Sequence, residues 1–264
     1  MSFVRIKPNH HIEPLFDMTR GLWTDRQTVH KFGSNDTVPN GSYSDIWTYG
    51  ATDATYNWPT TAETFRVAAG GNAADTSDGA GARTIQIVYL DGNGRQEQEQ
   101  LTLAGASASA ATSKTATRLI RAYTATAGTY GGNNVGDIVI ENTTSNQVVG
   151  SISAGIGQTQ MSMYTVPLRY TAYVFKTGVD IAAGLNKDAD VRMWQRRDAL
   201  TWTAPYCGTR LLHQWTAAQG NVVADFDTPL VLPELTDVWL EAQGNGSATA
   251  VDCYYSLYLV QEYV

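Results

Sequence analysis

The chain has 264 residues, 43% hydrophobic and only 16% charged, with a formal net charge of −7. That length and apolar share are ample for a real core and exclude global disorder. The acidic balance excludes the basic footprint that a nucleic-acid binder needs to displace counterions. Charged residues fall well below the roughly 25% of ordinary domains, and uncharged polar groups, which desolvate more cheaply than ions, take their place. Such a surface suits packing against neighbours.

Residues 1–44 show neither clean alternation nor a helical stripe. Pro8, Pro14 and Pro39 interrupt them, and Phe3, Ile6, Ile12, Leu15, Phe16, Leu22 and Trp23 stand scattered among polar residues. A segment too polar to fold alone but carrying large apolar anchors is expected to lie extended on another surface, as a docking arm. The opening MSFVRIKPNHHIEP has no apolar h-region or cleavage site, so no signal peptide is expected. No run is apolar enough to span a bilayer as a helix. His10, His11, Glu13, Asp17 and His30 could in principle ligate a metal. Adjacent histidines on an extended chain point opposite ways, so surface or interface roles are favoured and no metal site is expected.

From residue 45 to 264 the texture is almost wholly β and is expected to form one large domain, with a candidate division near residue 166. Thr64–Ala68 opens the series. Arg83–Leu90 alternates Ile85, Ile87 and Tyr89 with polar partners; Asp91-Gly92-Asn93-Gly94 supplies a tight turn; and Glu97–Leu103 returns with Leu101 and Leu103 inward. Glu97 and Glu99 mark a solvated edge rather than a carboxylate pair in a cleft. Asp75-Thr-Ser-Asp78-Gly79 lacks the spacing and closing Glu of a calcium loop and reads as a turn. Ala104–Ala116 is a small-residue loop.

Strands are then expected at Arg118–Thr124, Asp137–Glu141, Val148–Ile152, Gln160–Val166, Thr171–Lys176, Asp190–Arg196, Thr209–Thr216, Val222–Phe226, Asp237–Gln243 and Ala250–Val260. Glycine- and asparagine-rich turns punctuate them. Many short strands so spaced predict an all-β fold, a β-sandwich or jelly-roll-like build with an extended N-terminal arm. In the last strand, Cys253, Tyr255, Leu257 and Leu259 share one face and Tyr254, Ser256, Tyr258 and Val260 the other, so it is expected to be covered on both. Cys207 and Cys253 are expected to be buried free thiols.

Arg192, Arg196 and Arg197 form the dense basic cluster, read as interface or surface ion pairs. His213, beside Leu211, Leu212 and Trp215, reads as a core or interface histidine. No nucleophile elbow or phosphate loop is present, so no enzyme and no cofactor are expected. The aromatics are the positive signal: 14 Tyr and 7 Trp against 6 Phe. Trp194, Trp202, Tyr206 and Trp215 lie close in sequence as a candidate binding face, with core and subunit contact as the favoured reading.

Several blocks resemble an all-β virion structural protein family of tailed bacteriophages, of the marine type. They are Asp45-Ile46-Trp47, Pro59 to Glu63, Gly81 to Thr84, Leu90-Asp91, Asn134 to Ile138, Gly157 to Met161, Tyr164 to Pro167 and Leu232 to Trp239. Leu168-Arg169 departs from the family's turn. The resemblance spans most of residues 32–240 and implies a non-enzymatic virion structural protein assembled in the host cytoplasm, with no catalytic residue to carry over. The expected role is a multicopy capsid cement or decoration subunit, homo-oligomeric and bound to the major capsid protein or tail subunits. The alternative is a tail adaptor, fibre or receptor-binding component contacting host glycans.

Overall fold

The computed structural model describes residues 25–49, 55–182, 184 and 187–262, and every regular element among them is a β-strand. In chain order these are β1 (Arg26–Val38), β2 (Ser44–Asp45), β3 (Phe65–Val67), β4 (Ala82–Asp91), β5 (Gln96–Thr102), β6 (Ala116–Ala127), β7 (Ile138–Asn142) and β8 (Val148–Ile152). There follow β9 (Tyr164–Thr165), β10 (Tyr170–Ile181), β11 (Asp188–Arg196), β12 (Arg210–Ala218), β13 (Gly220–Leu232), β14 (Asp237–Asn245) and β15 (Thr249–Gln261). The fold is all-β, as the alternation predicts, and no helix among the described residues is long and apolar enough to cross a membrane.

Antiparallel pairing gives four sheets: β1-β15-β10-β13; β12-β11-β14-β2, with β9 also on β14; β3-β7-β8; and β5-β4-β6. They bury two hydrophobic clusters. One gathers Val174 and Val179 of β10, Val191 and Met193 of β11, Val238 and Leu240 of β14, and Tyr255 and Leu257 of β15. The other gathers Phe65 of β3, Ile85 and Ile87 of β4, Ala122 of β6, Ile140 of β7 and Val149 of β8. The chain starts the first sandwich, leaves it after β2, builds the second from the next hundred or so residues, and re-enters the first at β9.

The seam between the two explains the burial of β14. Its Val238, Leu240 and Ala242 face the first core, while Trp239, on the opposite face by the two-residue period, joins the second. A strand covered on both faces loses the apolar–polar alternation. Ile46 donates its N–H to Leu240 O at 3.0 Å, and Ser162 donates its own to Ile46 O at 3.0 Å. Gly33 of β1 runs against this crossing: a Cβ there would meet Ile46 O at 2.4 Å and Ser162 N at 2.6 Å, so only glycine fits.

The β4–β5 hairpin closes as its sequence dictates. Asp91 Oδ1 accepts the N–H groups of Asn93 (2.8 Å) and Arg95 (2.9 Å), and Gly94 takes φ +79°. Its tip docks on the first sandwich, where Leu168 donates its N–H to Gly94 O at 2.8 Å. Glu97 and Glu99 are tied down by the neighbouring loop: Glu97 pairs with Lys114, and Glu99 accepts from Ser113 N and Oγ.

β1 lies within the stretch read from the sequence as an arm, and it pairs with β15 from Arg26 to Val38. Phe3, Ile6, Ile12, Leu15, Phe16 and Trp23 lie outside the described residues, as do His10, His11, Glu13 and Asp17. β15 is an interior strand between β1 and β10. Its Cys253 face is buried and its Tyr254 face half-buried, the latter under His30 and the Phe175–Tyr258 stack (ring centroids 4.5 Å apart).

Candidate functional site: an arginine and tryptophan pocket at the seam

Arg118 of β6 and Asp237 of β14 meet where the two sandwiches join. The Arg118 side chain is 3% exposed and that of Asp237 fully buried, so their charges need complete compensation. They have it. Arg118 donates Nε to Asp237 Oδ1 (3.0 Å), Nη1 to Pro59 O (2.9 Å) and Thr117 O (2.8 Å), and Nη2 to Ala199 O (2.9 Å) and Asp237 Oδ2 (3.2 Å). Every guanidinium N–H is thereby used. Asp237 also accepts from Thr165 Oγ1 at 2.7 Å and from Arg196 Nη2 at 2.6 Å.

Arg196 sits at the end of β11, on the outer face that also carries Arg192 and Trp194. Its side chain keeps 28% exposure. Trp58 lies beside both cations, with each guanidinium carbon 5.2 Å from its ring, and packs edge-on against Trp239 at 5.6 Å. The loop after β11 bends back over this group. Asp198 holds φ +57°, Ala199 donates its N–H to Leu235 O at 2.8 Å, and Trp202 lies 5.9 Å from the Arg118 guanidinium.

Between these groups is a cavity of about 260 Å³, with Trp58 and Trp202 among its walls and Arg196, Arg197, Asp198 and Tyr206 also lining it. Tyr206 is 61% exposed and donates its hydroxyl to Trp202 O at 3.3 Å. Cys207, expected to be buried, is exposed, because the loop carrying it lies outside both cores. Its thiol donates to Asp198 Oδ2 at 2.8 Å, and that bond to a carboxylate raises the thiol pKa. Cys253 is a buried free thiol, as expected.

Of the four aromatic candidates, only Trp202 and Tyr206 line this cavity. Trp215 belongs to the first core, whereas Trp194 packs against the second. They lie on opposite faces of one sheet, so the four form no common surface. His213 is half-buried, edge-on to Trp215 (4.5 Å) and near Phe226 (5.5 Å), and burial lowers its pKa. Arg192 takes a different partner from Arg196, lying over the Tyr43 ring at 3.9 Å and 3.8 Å from Glu241.

Sequence reasoning passed over Arg118, Asp237, Trp58 and Lys31. The available signal was slight, a charge at the edge of a short apolar stretch: Arg118 before Leu119-Ile120, and Asp237 before Val238-Trp239-Leu240.

At another point of the seam, Lys31 of β1 is 4% exposed and donates to Ile120 O of β6 at 2.5 Å. No carboxylate pairs with it among the described residues. Burial, reinforced by the Arg121 charge and partly opposed by Cys253, lowers its pKa to about 7. It borders a cavity of about 510 Å³ together with His30, Arg121 and Tyr164.

The aspartate-rich turn is equally structural. Asp75 accepts the N–H groups of Ala82, Val135 and Gly136 at 2.8–3.0 Å. Among the described residues no group of three or more His, Cys, Asp and Glu is placed to hold a metal ion.

No family model matches the chain, and no curated protein matches it. Among solved structures it is similar to the T=1 particles derived from Infectious Bursal Virus, at 8% identity over 90% of this chain and 70% of that one, with TM-score 0.28. The structure of infectious bursal disease virus Gx strain follows at 7% identity over 89% and 72%, TM-score 0.26. The VP2 subviral particle of the same virus stands at 8% over 90% and 72%, TM-score 0.24. Likeness this distant assigns no family, and function has to be read from the chain's own residues.

Proposed function

We propose that this chain is a non-enzymatic structural protein of a bacteriophage particle, present in many copies as a capsid-associated cement or decoration subunit. The supporting observation is the use to which the phage-like blocks are put. Asp45 accepts the Tyr56 N–H at 2.6 Å, Asn134 donates to Gly136 O and Ser153 O, and Asp237 anchors the seam. A catalytic site needs polar groups left free to meet a substrate; these are spent in holding loops and the seam in place. The low charge of the chain fits close packing with neighbours, namely the major capsid protein and further copies of itself.

Quantitative protein composition of purified particles tests this reading. Hundreds of copies per particle are expected; a few copies, or none, would overturn it. Residues 1–24 are proposed to supply the anchor. Their deletion spares β1 and is expected to leave a folded protein that no longer joins the particle, whereas unchanged incorporation rejects the anchor.

The arginine–tryptophan pocket favours a second reading, a tail adaptor, fibre or receptor-binding component that contacts host surface glycans. Binding of the purified protein to host polysaccharide, lost on Trp202→Ala, would support it. Equal binding by the variant would remove that support.

A further inference from the structure

We propose that the cavity between Trp58, Trp202 and the Arg196-Arg197 pair is a binding site for a single carboxylate-bearing sugar unit, a uronate, of an acidic polysaccharide. This rests on the glycan-contact reading and names its ligand class. Size is the first ground. About 260 Å³ lies just under the roughly 300–1,000 Å³ of small-molecule sites, which suits one sugar ring and not a longer oligomer.

The walls are the second ground. Trp58 and Trp202, both half-buried, give the cavity apolar wall with a polar edge beside the Arg196 guanidinium, a lining that a ring with C–H faces and hydroxyl rims can meet.

Charge is the third ground, and it selects the acid. Three arginines, Arg118, Arg196 and Arg197, line the cavity, while the nearby carboxylates are Asp198 at the rim and Asp237 behind it. Asp237 is fully engaged by Arg118, Arg196 and Thr165, and Asp198 accepts from Cys207. One positive charge is left over, in a protein whose net charge is −7. Arg118 has no donor to spare. Arg196 commits only Nη2 to Asp237, and exposed Arg197 makes no ion pair among the described residues. Those unused forks match a carboxylate in geometry and sign. A neutral sugar would leave them unanswered.

A ligand-observed NMR titration of the full-length protein with glucuronate, glucose and acetate, at matched ionic strength, tests the assignment. Glucuronate is expected to bind at least tenfold more tightly than either glucose or acetate. Arg197→Gln and Trp202→Ala are each expected to weaken it tenfold or more. Arg197 is exposed, so its variant remains informative even where Trp202→Ala disturbs the loop. Glucuronate binding no tighter than glucose would overturn the proposal. So would acetate binding as tightly as glucuronate, which would mark a plain anion site, or a glucuronate affinity that neither substitution alters. Retention on host polysaccharide without glucuronate binding would overturn this inference and leave the glycan reading standing; loss of both would overturn both.

Discussion

The seam between the two sandwiches buries a cation in each of two places and treats them oppositely. At one, Arg118 meets a carboxylate and three carbonyls, with every N–H answered. At the other, Lys31 has a single carbonyl and no carboxylate among the described residues. Arginine's fixed planar fork keeps its charge and can be built into a joint, whereas lysine yields its proton when buried. The first arrangement locks the sandwiches together. The second is a burden on stability that varies with pH.

The largest effect is expected from Asp237→Ala, which strands Arg118 and Arg196 beside each other without a counter-charge. Breaking a buried pair from one side typically costs about 3–5 kcal/mol, measurable as a shift of the denaturation midpoint. A loss under about 1 kcal/mol, the level of an exposed ion pair, would mean that the joint is not what holds the seam.

Lys31 comes next. Its pKa in the folded protein, about 7, lies below the ordinary 10.5, so the unfolded chain binds the extra proton between those values. The Lys31 contribution to stability therefore falls by about 1.4 kcal/mol per unit as pH drops toward 7, flattening below. It is read under about pH 9, above which buried Cys253 and the buried tyrosines, their pKa values raised by burial, oppose it. Lys31→Met is expected to abolish that slope. An unchanged slope would show that another group sets it.

Gly33→Ala is expected to cost about 1–3 kcal/mol, because its methyl meets the fixed backbone of Ile46 and Ser162. Thr165→Val removes one hydrogen bond to the Asp237 carboxylate, for a loss of about 1.5–3 kcal/mol at most. Lys114→Ala, at the exposed Glu97 pair, is expected to change stability by less than about 1 kcal/mol. A larger loss there would blur the contrast between buried seam and solvated edge.

Strands β3 to β8 and β10 to β15 were legible, most because alternation survives where one face is core, and the doubly covered β14 as a short apolar run between turn residues. β1 was not, since its buried positions are Lys31, Gly33, Ser34, Asn35 and Val38, only the last of them a large apolar residue, and they carry no apolar period. The segment expected as a strand over 160–166 forms a regular strand only at Tyr164–Thr165, with an isolated bridge from Met161 to Trp47. Met161 and Met163 are buried in the second core, and Tyr164 and Val166 in the first. The aromatic cluster near residue 200 pointed at Trp202 and Tyr206. It had no means of separating Trp194 from Trp215, because they stand on different strands and only the pairing, which sets Trp215 opposite the inward Val191, relates their faces. The Arg118–Asp237 joint spans 119 residues, a distance at which only the folded topology pairs two lone charges.

Equilibrium denaturation of Asp237→Asn and Lys31→Met beside the parent protein at pH 7 tests the contrast most directly. Asp237→Asn is expected to lower the midpoint and Lys31→Met to raise it, the latter by about 1–4 kcal/mol in stability, as when buried ionic groups give way to apolar ones of similar size. Midpoints that move in the same direction would contradict the division of the seam into a satisfied arginine and an unsatisfied lysine.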